Sequence, residues 1–118
     1  MSATRVALCN IVFFLLLTPA LSLAAEVGAR APEFSLPNLR NPQQTVDLAS
    51  NRGKLLYVDF WSAWCQPCRD KMPRLDALGK AFDALEIVGV NVDPFVGDAY
   101  LYLSQSPVEY PIALDTSG

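Results

Sequence analysis

Val58–Arg69 reads VDFWSAWCQPCR, and this stretch decides the fold because it carries the chain from a predicted strand into a predicted helix. Leu55–Phe60 (LLYVDF) is a compact apolar run with one acid, which predicts a strand buried on both faces. After Cys65, apolar side chains recur every three or four residues, which predicts a helix with one apolar face. Pro73 lies inside this helix and predicts a kink. The apolar face comprises Met72, Leu75, Leu78, Phe82 and Leu85.

Further strands and a helix are predicted around that stretch. Ile87–Val92 (IVGVNV) predicts a second buried strand, residues 97–104 a short helix, and Ile112–Leu114 a third strand. A long helix between two strands implies that the strands run parallel. Two short edge strands are predicted on either side of the turn region Asn38–Gln44, with the apolar residues Phe34, Leu36, Val46 and Leu48. The predicted fold class is therefore α/β.

Cys65 and Cys68 form a CxxC motif where the predicted helix begins. Unpaired N–H groups and the helix dipole at such a terminus favour a thiolate at Cys65, and the thiolate is the form that attacks disulfides. Cys68 lies one turn away and could attack the resulting mixed disulfide. Pro67 lacks an N–H and suits the first helical turn. Gln66 and Pro67 are both expected to influence the redox potential.

Two other interpretations of the motif stay open. The pair could be half of a zinc site, but the chain has no histidine and no second CxxC pair. It could be an inert structural disulfide, although so tight a loop adds little chain-entropy stabilisation. The absence of histidine also excludes Cys–His and Ser–His nucleophile pairs. The motif thus predicts disulfide exchange with no metal and no cofactor beyond the redox-active disulfide Cys65–Cys68.

Asp59 and Trp64 are further candidate site residues. Asp59 is the lone acid of the run Leu55–Phe60, and a buried carboxylate without a partner tends to stay protonated. Such a group could take the proton of Cys68 through water; alternatively, Asp59 faces solvent or makes only structural hydrogen bonds. Trp64 could cover the disulfide or contact a substrate, with plain packing as the alternative. Trp61 is expected in the core.

The first 25 residues have the layout of a secretory signal peptide. Arg5 precedes the apolar stretch Val6–Leu17, and small residues follow up to Ala25. The alternative is a retained membrane anchor, because residues 6–25 carry no charge and have about the length that spans a bilayer. Cys9 is interpreted as a leader residue. Export would place the mature chain in a periplasmic or other extracytoplasmic compartment, free or anchored, where disulfides persist.

The length and the charge of the chain limit the number of domains and the kinds of partner that it can have. The 118 residues, less a leader of 25, suit one small domain. The chain has 9 Lys and Arg against 12 Asp and Glu, and no basic cluster. Nucleic acid is therefore not a predicted partner.

Val58–Arg69 resembles the active-site segment of thioredoxins, and Pro73 matches the kink proline of that family. Val27–Leu36 (VGARAPEFSL) is similar to the N-terminal extension of the exported TlpA/ResA-like branch, which is related to AhpC/TSA proteins. The resemblance implies a thioredoxin-like fold over residues 26–118, a central sheet flanked by helices. Gly89 falls where thioredoxins often carry a lysine near their buried acid.

The resemblance implies roles for the candidate residues. Cys65 would be the attacking cysteine, Cys68 the resolving cysteine, and Asp59 the counterpart of the buried acid of thioredoxins. The activity would be reduction of disulfides in exported proteins, in cytochrome c maturation or redox homeostasis. A membrane thiol reductase of the DsbD/CcdA type would donate electrons, and residues 6–25 could tether the chain to the membrane.

The resemblance also implies that the fold is incomplete. The family continues with a cis-proline strand, a final strand and a final helix, and these are expected to be missing from a chain truncated at its C-terminus. Two rival functions stay open. A peroxiredoxin-like peroxidase would carry threonine three residues before the cysteine, where Ser62 stands. A non-catalytic binding module stapled by the disulfide would keep its activity without the cysteines.

Overall fold

The computed structural model describes residues 25–117. The predicted signal peptide or membrane anchor, with Cys9, lies outside these residues apart from Ala25. Internal contacts divide the chain into two units, Met1–Pro32 and Glu33–Gly118. Within residues 25–117, no helix has the length and apolar character needed to cross a membrane.

The second unit is an α/β structure, as predicted. In its described part, three parallel strands form a sheet in the order β3-β4-β5, and β1 pairs with β2 in an antiparallel hairpin. The predicted short strands on either side of the turn, the short helix after the second strand and the strand Ile112–Leu114 are all present. The bounds of the elements are β1 Ser35–Pro37, β2 Thr45–Asp47, β3 Leu55–Trp61, α1 Gln66–Ala81, β4 Leu85–Asn91, α2 Val96–Gln105 and β5 Ile112–Leu114.

The sheet buries a different set of side chains on each face, because successive residues of a strand point to opposite sides. The face toward the two helices contains a core cluster that includes Trp61, Met72, Leu75, Ile87, Ala99, Tyr102 and Ile112. The face toward the β1–β2 hairpin contains a smaller cluster of Val46, Val88, Val90 and Ala113. Trp61 is thus a core residue, as the sequence predicts.

The prediction that strand β3 is buried on both faces is wrong. Leu55 is 70% exposed and Phe60 is 62% exposed. The reason is position in the sheet, since β3 has only β4 as a neighbour in the part of the chain that the structure describes. Strand β4 lies between two strands, and its residues from Ile87 to Asn91 are all buried. A short apolar run in the sequence therefore does not show whether a strand lies at the edge or in the middle of a sheet.

Candidate active site

Cys65 and Cys68 are joined by a disulfide where α1 begins. Their Cα atoms are 5.3 Å apart. Cys65 is the N-cap residue of α1, with an extended backbone, and its carbonyl accepts the N–H of Arg69 at 3.0 Å. Both cysteines are half-buried, and Cys68 packs against the core under the helices. The predicted placement of the motif at a helix N-terminus is confirmed.

The electrostatics of this helix terminus favour a negative charge at Cys65. No side chain caps the helix, and no acidic residue lies in its first turn. The positive end of the helix dipole is therefore not neutralised locally. A field of this kind favours a thiolate over a thiol at a helix N-terminus.

The residues around the motif are exposed. Trp64 is 77% exposed and borders a cavity of about 280 Å³ together with Leu101 and Tyr102. Gln66 donates from Nε2 to Asp70 Oδ1 at 2.7 Å, one turn further along the same helix. Trp64 and Gln66 are thus accessible to a partner that approaches the disulfide.

Two prolines fall inside α1. Pro67 stands in its first turn, where its missing N–H needs no partner. Pro73 stands further along, and α1 continues through it to Ala81. The kink at Pro73 and the influence of Pro67 on the redox potential stay predictions.

Asp59 is buried, as expected, but the prediction that it has no partner is wrong. Its side chain is 1% exposed, and its Oδ1 lies 2.5 Å from Nζ of Lys71 on α1. The other oxygen, Oδ2, has no hydrogen-bond partner in the described part of the chain. Lys71 is 40% exposed, so the pair joins a buried carboxylate to the surface. Lys71 is not among the residues of the predicted apolar face, and the sequence gave no sign of this contact.

A second buried acid, Asp93, holds the loop that leads into the motif. Its Oδ2 accepts the N–H of Ala63 and the amide of Asn91, each at 2.8 Å. Asn91 ends β4, and the loop from Ser62 to Cys65 follows β3, so the two parallel strands bring these residues to one edge of the sheet. The available signal for this role was the position of Asp93 just after the predicted strand Ile87–Val92.

Arg69 fixes α1 against α2. Its guanidinium lies over the ring of Tyr102, 4.9 Å from the centroid. The hydroxyl of Tyr102 donates to the carbonyl of Arg69 at 3.1 Å. Tyr102 also packs against Trp61, with ring centroids 5.6 Å apart. These contacts tie the turn that holds both cysteines to the core.

Comparison with known proteins gives one family match. The model described as the AhpC/TSA family matches residues 27–118. The chain is also similar to the thioredoxin-like protein YneN of Bacillus subtilis, at 32% identity over 95 residues, which covers 77% of this chain and 55% of YneN. A thiol-disulfide oxidoreductase ResA of Bacillus thuringiensis is 27% identical over 95 residues, 79% of this chain and 54% of that protein. The chain thus spans about half the length of these curated relatives.

Solved structures show the same fold. A Chlorobium tepidum protein assigned as a thiol:disulfide interchange protein DsbE superposes with a TM-score of 0.70 and 37% identity, over 80% of this chain and 67% of that one. A secreted disulfide oxidoreductase of Mycobacterium tuberculosis superposes with a TM-score of 0.64 and 27% identity, over 72% of this chain and 62% of that one.

Proposed function

The chain belongs to the AhpC/TSA family and has a thioredoxin-like fold, and from that membership we propose that it exchanges thiols and disulfides through Cys65 and Cys68. One observation carries the proposal: the two cysteines form a disulfide at a helix N-terminus that has no acid in its first turn. The names of the ResA and DsbE relatives, a thiol-disulfide oxidoreductase and a thiol:disulfide interchange protein, support the same chemistry.

The exchange proceeds in two steps, starting from the reduced protein. The Cys65 thiolate attacks one sulfur of a client disulfide, which forms a mixed disulfide and releases the other client sulfur as a thiolate that takes a proton from water. Cys68 then loses its proton to Asp59 through water and attacks Cys65 Sγ. The Cys65–Cys68 bond forms, the bond to the client breaks, and the second client sulfur leaves as a thiolate. The client gains two electrons and the protein loses two.

The clients in this proposal are exported proteins with disulfides, in cytochrome c maturation or redox homeostasis. The leader-like sequence of residues 1–25 supports export, and the Mycobacterium tuberculosis relative is described as secreted. An oxidising compartment does not itself regenerate a dithiol, so the proposal includes an electron donor. We assign that role to a membrane thiol reductase of the DsbD/CcdA type, with residues 6–25 as a signal peptide or a tether.

The proposal is tested by trapping the mixed disulfide. The reduced 118-residue chain and its Cys68→Ser and Cys65→Ser variants are each mixed with a peptide that contains one disulfide, and adducts are measured by mass spectrometry. Cys68→Ser should accumulate a peptide adduct on Cys65, because nothing resolves it. Cys65→Ser is the matched control and should accumulate at least about tenfold less adduct, since its remaining thiol, Cys68, packs against the core.

The same experiment separates the rival functions. No adduct on either variant, or equal adducts on both, would refute exchange through Cys65. A peroxidase would react with hydrogen peroxide far faster than with the peptide disulfide. A stapled binding module would keep its activity in the double variant Cys65→Ser/Cys68→Ser, whereas the proposal predicts that this variant is inactive.

A further inference from the structure

The ion pair between Lys71 and Asp59 lies directly under the active-site helix. Lys71 Nζ is 2.5 Å from Asp59 Oδ1, and the Asp59 side chain is almost completely buried. A buried charge that loses its only partner is strongly disfavoured, far more than a charge at the surface. Lys71 therefore supplies the counter-charge to the buried Asp59 carboxylate in the described part of the chain.

Lys71 also lies beside Cys68 on α1. Residues three positions apart on a helix are neighbours on the same face, with Cβ atoms about 5 to 6 Å apart. Cys68 packs against the core cluster that contains Trp61 of β3, and Lys71 reaches Asp59 on the same strand. This face of α1 thus presents the resolving cysteine and the lysine toward the strand that carries Asp59.

The sheet itself has no room for a cation next to Asp59. The residue paired with Asp59 on β4 is Gly89. A Cβ atom at Gly89 would lie 2.7 Å from Ile112 Cδ1, closer than packed side chains allow, and 3.1 Å from Trp61 Nε1, which is a tight contact. A side chain at this position would have to displace its neighbours, and in this chain the positive charge beside Asp59 comes from the helix.

A further titratable group beside Asp59, Tyr110, does not replace that charge. Tyr110, from the segment before β5, has a buried hydroxyl without a hydrogen-bond partner in the described residues. Burial raises the pKa of Tyr110, and the negative charge of Asp59 raises it further. Tyr110 therefore stays neutral at pH 7. Arg40 lies beyond it, bound to the carbonyl of Tyr110 at 2.8 Å.

We propose that Lys71 is a positioning residue for the second step of exchange: it keeps Asp59 ionised beneath α1, so that Asp59 can accept the proton of Cys68. This inference rests on the proposed exchange at Cys65 and Cys68. The proton moves from Cys68 Sγ through water to Asp59, the Cys68 thiolate forms the disulfide with Cys65, and the client thiolate departs. Because Lys71 is partly exposed, the carboxylic acid can afterwards return its proton to water along this side of the helix.

The test separates the two steps in time. Reduced protein is mixed in a stopped-flow instrument with one equivalent of 5,5′-dithiobis(2-nitrobenzoate), at pH 5 to 9. The attack of Cys65 releases one coloured thiolate, and resolution by Cys68 releases the second in a phase that does not depend on concentration. Lys71→Met should slow the second phase at least about tenfold at pH 7 and move its pH profile up by about one unit or more. The first phase should change by less than about threefold.

Three comparisons make the outcome specific. Lys71→Arg, which keeps the charge, should retain the second-phase rate within about threefold. Lys80→Met is the matched control, since Lys80 lies on the same helix but pairs with Asp76 and Glu109 at the surface, and it should resolve like the parent. In an Asp59→Asn background, adding Lys71→Met should change the second phase by less than about twofold, because the two residues act as one unit.

The negative outcomes are distinct. An unchanged second phase and pH profile in Lys71→Met would overturn the role of Lys71 and leave the exchange intact. Failure of the parent protein to show a first phase would overturn the proposed function itself. Should Lys71→Met not fold, Lys71→Gln gives the same test, because its amide can still donate a hydrogen bond to Asp59 without supplying a charge.

Discussion

Replacing Gly89 with alanine tests how tightly the sheet is packed next to the active site. Gly89 lies in the middle of β4, between β3 and β5, and is buried. The added Cβ would lie 2.7 Å from Ile112 Cδ1, 3.1 Å from Trp61 Nε1 and 3.2 Å from Tyr110 Cε2. At least one of these side chains has to move. Overpacking of this kind typically lowers the free energy of unfolding by about 1 to 3 kcal/mol.

The assay is urea unfolding of the parent chain and two variants, followed by fluorescence and circular dichroism. Gly97→Ala in α2 is the matched control, because a Cβ at that position has no atom within 4 Å and alanine favours a helix. Its unfolding free energy should be unchanged or higher by up to about 1 kcal/mol. The packing argument would be refuted if Gly89→Ala were as stable as the parent, or if both variants lost the same amount.

Two further substitutions test contacts that hold α1. Hydrogen bonds from Lys80 and from the N–H of Glu109 outweigh the opposing effect of burial and lower the pKa of Asp76. The resulting stabilisation is present above about pH 4 and is lost as the pH falls through the lowered value, so Asp76→Asn should reduce the unfolding free energy by about 1 kcal/mol at pH 7, with the difference vanishing near pH 2. A difference that persists there would contradict this assignment. Tyr102→Phe removes the hydrogen bond to the carbonyl of Arg69 but keeps the ring under the guanidinium, and thermal unfolding should show a loss of about 1 kcal/mol; a melt identical to that of the parent would show that this bond contributes nothing.

The local pattern of the sequence predicted the elements but not their exposure. The CxxC motif after an apolar run indicated the junction of strand and helix, because both the spacing of apolar residues and the placement of Pro67 are local features. The predicted apolar face of α1 extends further than the buried part of the helix. Leu78 is 40% exposed and Phe82 is 58% exposed, and α1 ends at Ala81. Burial of a side chain depends on which element covers it, and periodicity does not carry that information.

The candidate site was predicted only where its geometry is local. Cys65 and Cys68 are three positions apart on one helix, so their pairing follows from spacing. The partner of Asp59 is twelve positions away, and the contact depends on how closely α1 approaches β3. Lys71 lies outside the predicted apolar face of the helix, and nothing in the local pattern of the sequence pairs it with Asp59. A pairing of this kind becomes visible only when the tertiary structure brings the buried acid under the helix.

The central claim is that reduced Cys65 is ionised by the helix terminus and reachable from solvent. The most direct measurement is the rate at which iodoacetamide alkylates Cys65 in the Cys68→Ser variant between pH 4 and pH 10, since only the thiolate reacts. The account predicts a midpoint well below about 8.5, the value of a free thiol. A midpoint at or above about 8.5, or a Cys65 that iodoacetamide does not reach, would contradict it.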